Sequence, residues 1–282
     1  MRTAVWLCLL VVLAGCNAPV GAGGGGTADT PPAATAAPVP EDSTLAPGLA
    51  DEGVVDPERL TDAHTGAISD DSYTLVANRT ERYGNGTVRS GLRIRVELAA
   101  DRGYHVRTAT AGPDGPVFLG TPPASGAFWS NGSVYVRRLT NDDSTIYNEF
   151  RPREGGAGTW TYWVTTVPFG GGQADPTSFY TGVFRSVAVD TVERDTDGDS
   201  VVYRLHGSEL REASFTGEFA DVRNVSLRAT VTERGLVRSL RLRFTGTVDG
   251  EPVRVEWQVR YRNVSATTVE RPGWFERAVQ SS

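Results

Sequence analysis

From residue 253 to 262 the chain alternates in character. Val253, Val255, Trp257, Val259 and Tyr261 are apolar, while Arg254, Glu256, Gln258, Arg260 and Arg262 are polar or charged. Successive side chains of an extended strand point to opposite faces, so this run predicts a strand with one buried and one wet face. Leu240, Leu242 and Phe244 against Arg241, Arg243 and Thr245 predict its neighbour, and Asp249-Gly250 between the runs predicts a two-residue type I′ turn. The same logic sets Leu92, Ile94, Val96 and Leu98 against Arg93, Arg95 and Glu97, with Asn85-Gly86 turning them from a strand that starts at Tyr73. Val225, Leu227, Ala229 and Val231 form another such face, turned at Arg234-Gly235. Further strands are expected at 103–110, 115–120, 126–130, 133–139, 144–150, 187–194 and 200–206.

Two segments change period. Asp56-Pro57 is an N-cap followed by proline in the first helical position, and Leu60, His64 and Ile68 then share one helix face. Asp175-Pro176 repeats the signal before Phe179, Tyr180, Val183, Phe184 and Val187. A last short helix is expected within Pro272–Val279, which holds Trp274 and Phe275. The fold class expected is mainly β with a few helices (α+β). Too few helices exist to cover both faces, so a single large curved antiparallel sheet, a half-barrel, should wrap one or two of them. Trp160, Trp163, Phe179, Phe184 and Trp257 are the candidates for its inner face, as core or as the wall of an apolar-ligand site. Burying one such ring contributes about 1.5–3 kcal/mol.

The N-terminus departs from all of this. Arg2, an apolar run from Ala4 to Leu13, and the small Ala14 and Gly15 before Cys16 are the parts of an export signal. The run is about half of the ~20 residues a membrane-spanning helix needs. The order Leu13-Ala14-Gly15-Cys16 resembles the lipobox of bacterial and archaeal lipoproteins. That resemblance implies a diacylglyceryl thioether on Cys16 and removal of residues 1–15. An ordinary secretory signal would instead leave Cys16 as an odd free thiol. Cys8 would leave with the signal, so neither a disulfide nor a thiolate metal site is expected. Residues 16–56 are rich in Gly, Ala, Thr and Pro and read as a lipidated, disordered tether spanning roughly 35 Å. Residues 57–282 then form one β-rich domain, expected at the outer face of the cytoplasmic membrane.

Charge narrows the partners. All 28 basic residues are arginine, acidic residues number 34, and the net charge is −6. Phosphate backbones need net or clustered positive charge, so nucleic acid is not an expected partner. A lysine-free acidic chain also suits a high-salt habitat, or a GC-rich genome without one. With the lipobox, the tether, and Leu60-x-x-x-His64 running into Ser72-Tyr73-Thr74-Leu75, the chain resembles a family of uncharacterised haloarchaeal surface lipoproteins. Its order of helix, strands, crossing helix and strands also resembles the lipoprotein-carrier fold of LolA and the mycobacterial lipid-binding lipoproteins. That resemblance implies a curved sheet cupping helices over an apolar cavity.

Five Asn-x-Ser/Thr sequons, at Asn78, Asn85, Asn131, Asn224 and Asn263, are candidate glycosylation sites, Asn263 being disfavoured while it shares parity with Tyr261. Asp195, Asp197 and Asp199 around Gly198 alternate as Ca²⁺ ligands do, but the distal glutamate is missing and a hairpin turn is the simpler expectation. His64, His105 and His206 have no metal spacing, and Gly170-Gly171-Gly172 before Asp175 reads as a loop rather than an anion cradle. No catalytic or cofactor motif is present, and no cofactor is expected. The function expected is that of a membrane-tethered, non-catalytic structural or interaction domain with candidate sites for sugar, with carriage of lipid or another apolar ligand as the alternative.

Overall fold

The alternating runs near the two ends of the domain become neighbours in one antiparallel sheet of eleven strands. The computed structural model describes residues 44–141, 144–152, 159–160, 162–163, 176–198, 200–212 and 218–281. In chain order the strands of this sheet are β1 (Tyr73–Tyr83), β2 (Val88–Leu98), β3 (Tyr104–Ala111), β4 (Ala124–Ser130), β5 (Tyr135–Asn141) and β6 (Ser144–Glu149). The second series is β7 (Thr191–Asp197), β8 (Ser200–Gly207), β9 (Ala220–Thr232), β10 (Val237–Val248) and β11 (Glu251–Arg262). Their order in space is β7-β8-β9-β10-β11-β1-β2-β3-β4-β5-β6. Two meanders therefore meet where β11 pairs with β1, with Val259 opposite Ala77 and Tyr261 opposite Leu75.

Parity sets the faces. Leu242 lies opposite Trp257, and Ile94 opposite both Ala77 and Thr108, so the apolar residues of successive strands form continuous rows. The β10–β11 turn has Asp249 and Gly250 at φ 52° and 82°, as a type I′ hairpin requires. The expected strand at 115–120 is absent apart from an isolated Phe118–Gly120 bridge, and Val117 is exposed. The segment expected as one strand at 187–194 is divided. Val187–Ala188 pairs with Glu209–Leu210 in a separate ribbon, and β7 starts at Thr191.

The half-barrel expectation is corrected. Mainly β with few helices holds, but no sheet is curled or closed: β7 and β6 lie at opposite ends of the order, each paired on one side only. Separate elements cover the apolar face, so the sheet need not fold over itself. Helix α1 (Pro57–Ile68) and helix α2 (Pro176–Ser186) contribute Leu60, Tyr180, Val183 and Phe184 to the same buried cluster as the apolar rows of the strands. Asp56 caps α1 by accepting from Arg59 N at 3.0 Å.

Residues 45–54, expected within the tether, are part of the cover. Leu49–Ala50 pairs with Gly53–Val54, and Leu49 is fully buried. Gly48 makes the turn into this ribbon at φ +75°, and a Cβ there would lie 2.2 Å from Asp56 O, so only glycine fits. A third helix, α3 (Phe275–Gln280), packs on the opposite face at one end, where Trp129, Val136 and Ala278 form a second small cluster.

Candidate functional site

The five aromatic candidates all join the main core and fall into two groups. Phe184 is buried in α2, and Phe179 lies 5.6 Å from Trp257, whose ring is 6.0 Å from Phe244. This group fixes α2 to β10 and β11. The other gathers over β1, β3 and β4. Trp160 lies 6.4 Å from Tyr73 and 6.0 Å from Tyr104, while Trp163 is fully buried and meets Phe128 edge-on at 4.9 Å. Phe150 extends the patch, 6.5 Å from Phe128 and 6.1 Å from Tyr135.

Polar atoms without partners lie in this second patch and run on from it along β3. Tyr104 Oη, Thr108 Oγ1, Thr110 Oγ1 and Trp163 Nε1 are buried and have no hydrogen-bond partner among the described residues. Tyr104, Thr108 and Thr110 stand on the core face of β3, opposite Leu98, Ile94 and Leu92 respectively. An unsatisfied buried donor or acceptor costs about 1–3 kcal/mol, so a row of them along one strand is expensive unless something meets them. Burial pushes the Tyr104 phenol above its usual value and keeps it protonated, able to donate. Aromatic walls continued by a row of hydroxyl groups suit an extended amphipathic ligand with an apolar body and polar oxygens. The strand was visible in the sequence. The lack of partners for its threonines is a tertiary fact.

A charged cluster missed by the sequence reading lies at the edge of the same face. Glu81 is fully buried and opposite Val255 and Ser90, at a parity that β1 otherwise gives to Leu75 and Ala77. It pairs with Arg89 and, at 2.5 Å, with Arg79. Arg89 also reaches Glu218 at 3.0 Å and Asp114 at 3.1 Å. Burial alone would lower the Arg89 guanidinium, but the hydrogen bonds and charges of Glu218 and Glu81 outweigh it and hold it above its ordinary value. Charged residues at core parity in β1 were the signal that could have revealed this cluster.

The remaining candidates disperse. Asn85 and Asn131 are exposed in turns, their Oδ1 atoms accepting from Thr87 N and Ser133 N at 3.0 and 3.1 Å. Asn224 is exposed and donates to Thr245 Oγ1 at 3.1 Å. Asn263 is exposed at φ 49° just past the end of β11, so the parity objection to it lapses. Asn78 is instead the least accessible of the five, in mid-strand with a buried Oδ1.

Asp195 pairs with Arg204, and Asp197 with Arg238, across the β7–β8 hairpin and its surroundings. The Thr196 N–H and Arg204 hold the Asp195 carboxyl below its usual value. Among the described residues no group of three or more His, Cys, Asp and Glu could hold a metal ion. His64 packs edge-on against Tyr180 and Tyr261, and its Nδ1 accepts from Val237 N at 3.2 Å. Cys16, Gly170-Gly171-Gly172, Asp175 and Asp199 lie outside the described residues.

No helix among the described residues is long and apolar enough to cross a membrane. No curated protein matches the chain. Among solved structures it is similar to LprF from Mycobacterium bovis, at 8% identity over 77% of this chain and 96% of that one, with a TM-score of 0.32. It is similar to a LolA superfamily protein from Nitrosomonas europaea at 8% identity, over 75% and 93% of the two chains, with a TM-score of 0.25. A DUF1329 family protein from Desulfovibrio piger matches at 11% identity over 78% and 95%, also with a TM-score of 0.25. These are distant likenesses of fold. At the level of sequence the match is to a family of unknown function, DUF7537, and because it runs over residues 2–278 the chain belongs to that family.

Proposed function

We propose that this chain is a non-catalytic binding protein, held at the outer face of a membrane through Cys16, that keeps an amphipathic, lipid-like ligand against the aromatic patch over β1, β3 and β4. The observation that carries the ligand is the row of buried, unpartnered atoms of Tyr104, Thr108 and Thr110 along β3, which starts with Trp163 beside the rings of Trp160, Phe128 and Phe150. Ester or hydroxyl oxygens would meet them while an acyl chain covers the rings. The anchor is supported by the order Leu13-Ala14-Gly15-Cys16 behind an apolar run too short to span a bilayer.

Native mass spectrometry of the chain extracted gently from its own membrane should show an adduct of lipid mass. A bare mass would favour a purely structural or interaction domain with a filled core. Exchanging Thr108→Val and Thr110→Val together tests the site itself. Removing unsatisfied hydroxyls should raise the unfolding midpoint of the lipid-free protein, each by the equivalent of about 1 kcal/mol or more, and should reduce the retained ligand. A lowered midpoint would mean that the hydroxyls were already satisfied, and the reading would fail. For the anchor, Cys16→Ser should move the chain out of the membrane fraction, and unchanged partition would overturn it.

A further inference from the structure

The face of the sheet turned away from α1 and α2 is rich in arginine in a way that net charge conceals. Arg254 on β11 stands directly opposite Arg82 on β1. Like charges in direct cross-strand register are destabilising. Both side chains are exposed, and neither enters an ion pair among the described residues, although Arg82 donates to Gly86 O at 3.1 Å. Arg93 on β2, likewise exposed and without an ion pair among the described residues, lines the same depression of about 270 Å³. The rest of its lining is Asn78, Thr80, Gln258 and Glu256.

Glu256 is the one carboxylate in that lining. It is occupied on the far side by Arg241 at 2.6 Å and Arg243 at 3.3 Å. Its charge is therefore shared by a further pair of guanidiniums, and the three lining arginines keep theirs. A protein of net charge −6 repels anions at long range, yet it holds three unneutralised guanidiniums around one hollow.

We propose that this depression, framed by Arg82, Arg93 and Arg254, is a binding site for a phosphate group. Guanidinium forks match the oxygens of a tetrahedral oxyanion in bidentate fashion, and the negative charge of a phosphate relieves the repulsion between the opposed arginines. Thr80, Asn78 and Gln258 supply neutral donors beside them. The volume admits the phosphate and a small substituent, so the group can be free phosphate or the headgroup of a lipid. This face lies opposite the aromatic patch, and a phosphate here is independent of the ligand proposed there.

The test is the unfolding midpoint of the full chain, measured with sodium phosphate against sodium chloride at equal ionic strength. Parallel arms use monomeric dihexanoylphosphatidylglycerol, with dihexanoylglycerol as the phosphate-free control. A rise with inorganic phosphate identifies the free anion, and a rise with the phospholipid alone identifies a headgroup. Arg82→Gln with Arg254→Gln should weaken either effect on the order of ten- to a hundredfold, as expected for losing hydrogen bonds to a charged group. Arg254→Gln alone should leave the ligand-free midpoint unchanged or higher, because it removes a like-charge pair. No shift with any phosphate probe, or a shift that survives the double substitution, overturns the proposal.

Discussion

Glu81 shows what a single residue can cost and secure. It is fully buried, and its partner Arg89 is nearly so. Removing one member of a buried pair leaves the other uncompensated, at about 3–5 kcal/mol. Glu81→Ala should therefore lower the chemical-denaturation midpoint sharply, and a change below about 1 kcal/mol would show that Glu218 and Asp114 suffice for Arg89. His64 makes a different prediction. Burial holds it down at about 3, from the usual 6.5. As pH falls below 6.5 the unfolded chain takes up a proton that the folded chain refuses until near 3, so stability is complete above 6.5 and declines below it by about 1.4 kcal/mol per pH unit. His105, lowered to about 4 by burial and then by Arg107, adds to the same trend. The unfolding midpoint should drop between pH 6.5 and 4, and His64→Gln, which keeps an acceptor for Val237 N, should flatten that slope. An equal slope in the variant would contradict the assignment.

At the scale of elements, the features legible in sequence are those set by neighbours along the chain. The Asp249-Gly250 hairpin and the Asp56 cap depend on a few consecutive residues and match expectation. Residues 45–54 did not read as structured, because Gly48, Leu49 and Val54 show no period; their burial depends on α1 and the sheet lying alongside. Edge strands carry a further consequence. β7 exposes Glu193, Arg194 and Asp197, charges that discourage pairing with another chain, whereas β6 carries Ile146, 58% exposed, and a single charge at Glu149. Ile146→Lys should reduce concentration-dependent association, followed by light scattering, while leaving the unfolding midpoint within about 0.5 kcal/mol of the parent. Unaltered association would put the sticky surface elsewhere.

Over the whole molecule, the expectation of a curled sheet failed for a reason of arithmetic. One wet face and one apolar face were legible in the alternation from Val253 to Tyr261 and from Leu92 to Leu98, and an apolar face needs a cover. Counting only two strong helix signals left closure as the remedy. The ribbon at 49–54 and the pieces around Trp160 and Trp163 add cover that periodicity does not announce, so the sheet stays open. The aromatic residues of the candidate site were legible as a set, but their division into two groups and the unpartnered threonines were not, since both depend on strand register across the sheet.

The pairing of β11 with β1 carries its own consequence for how the molecule is made. A chain synthesised from its N-terminus can assemble β1 to β6 early, through short-range hairpins. Yet the outer edge of β1 stays bare until the last strand of the sheet emerges some 170 residues later, as the register between residues 74–83 and 253–262 dictates. Contacts so distant in sequence form slowly. The middle of the finished sheet is thus the last gap to close, and a nascent chain halted before residue 251 would present its future centre as an open, adhesive border.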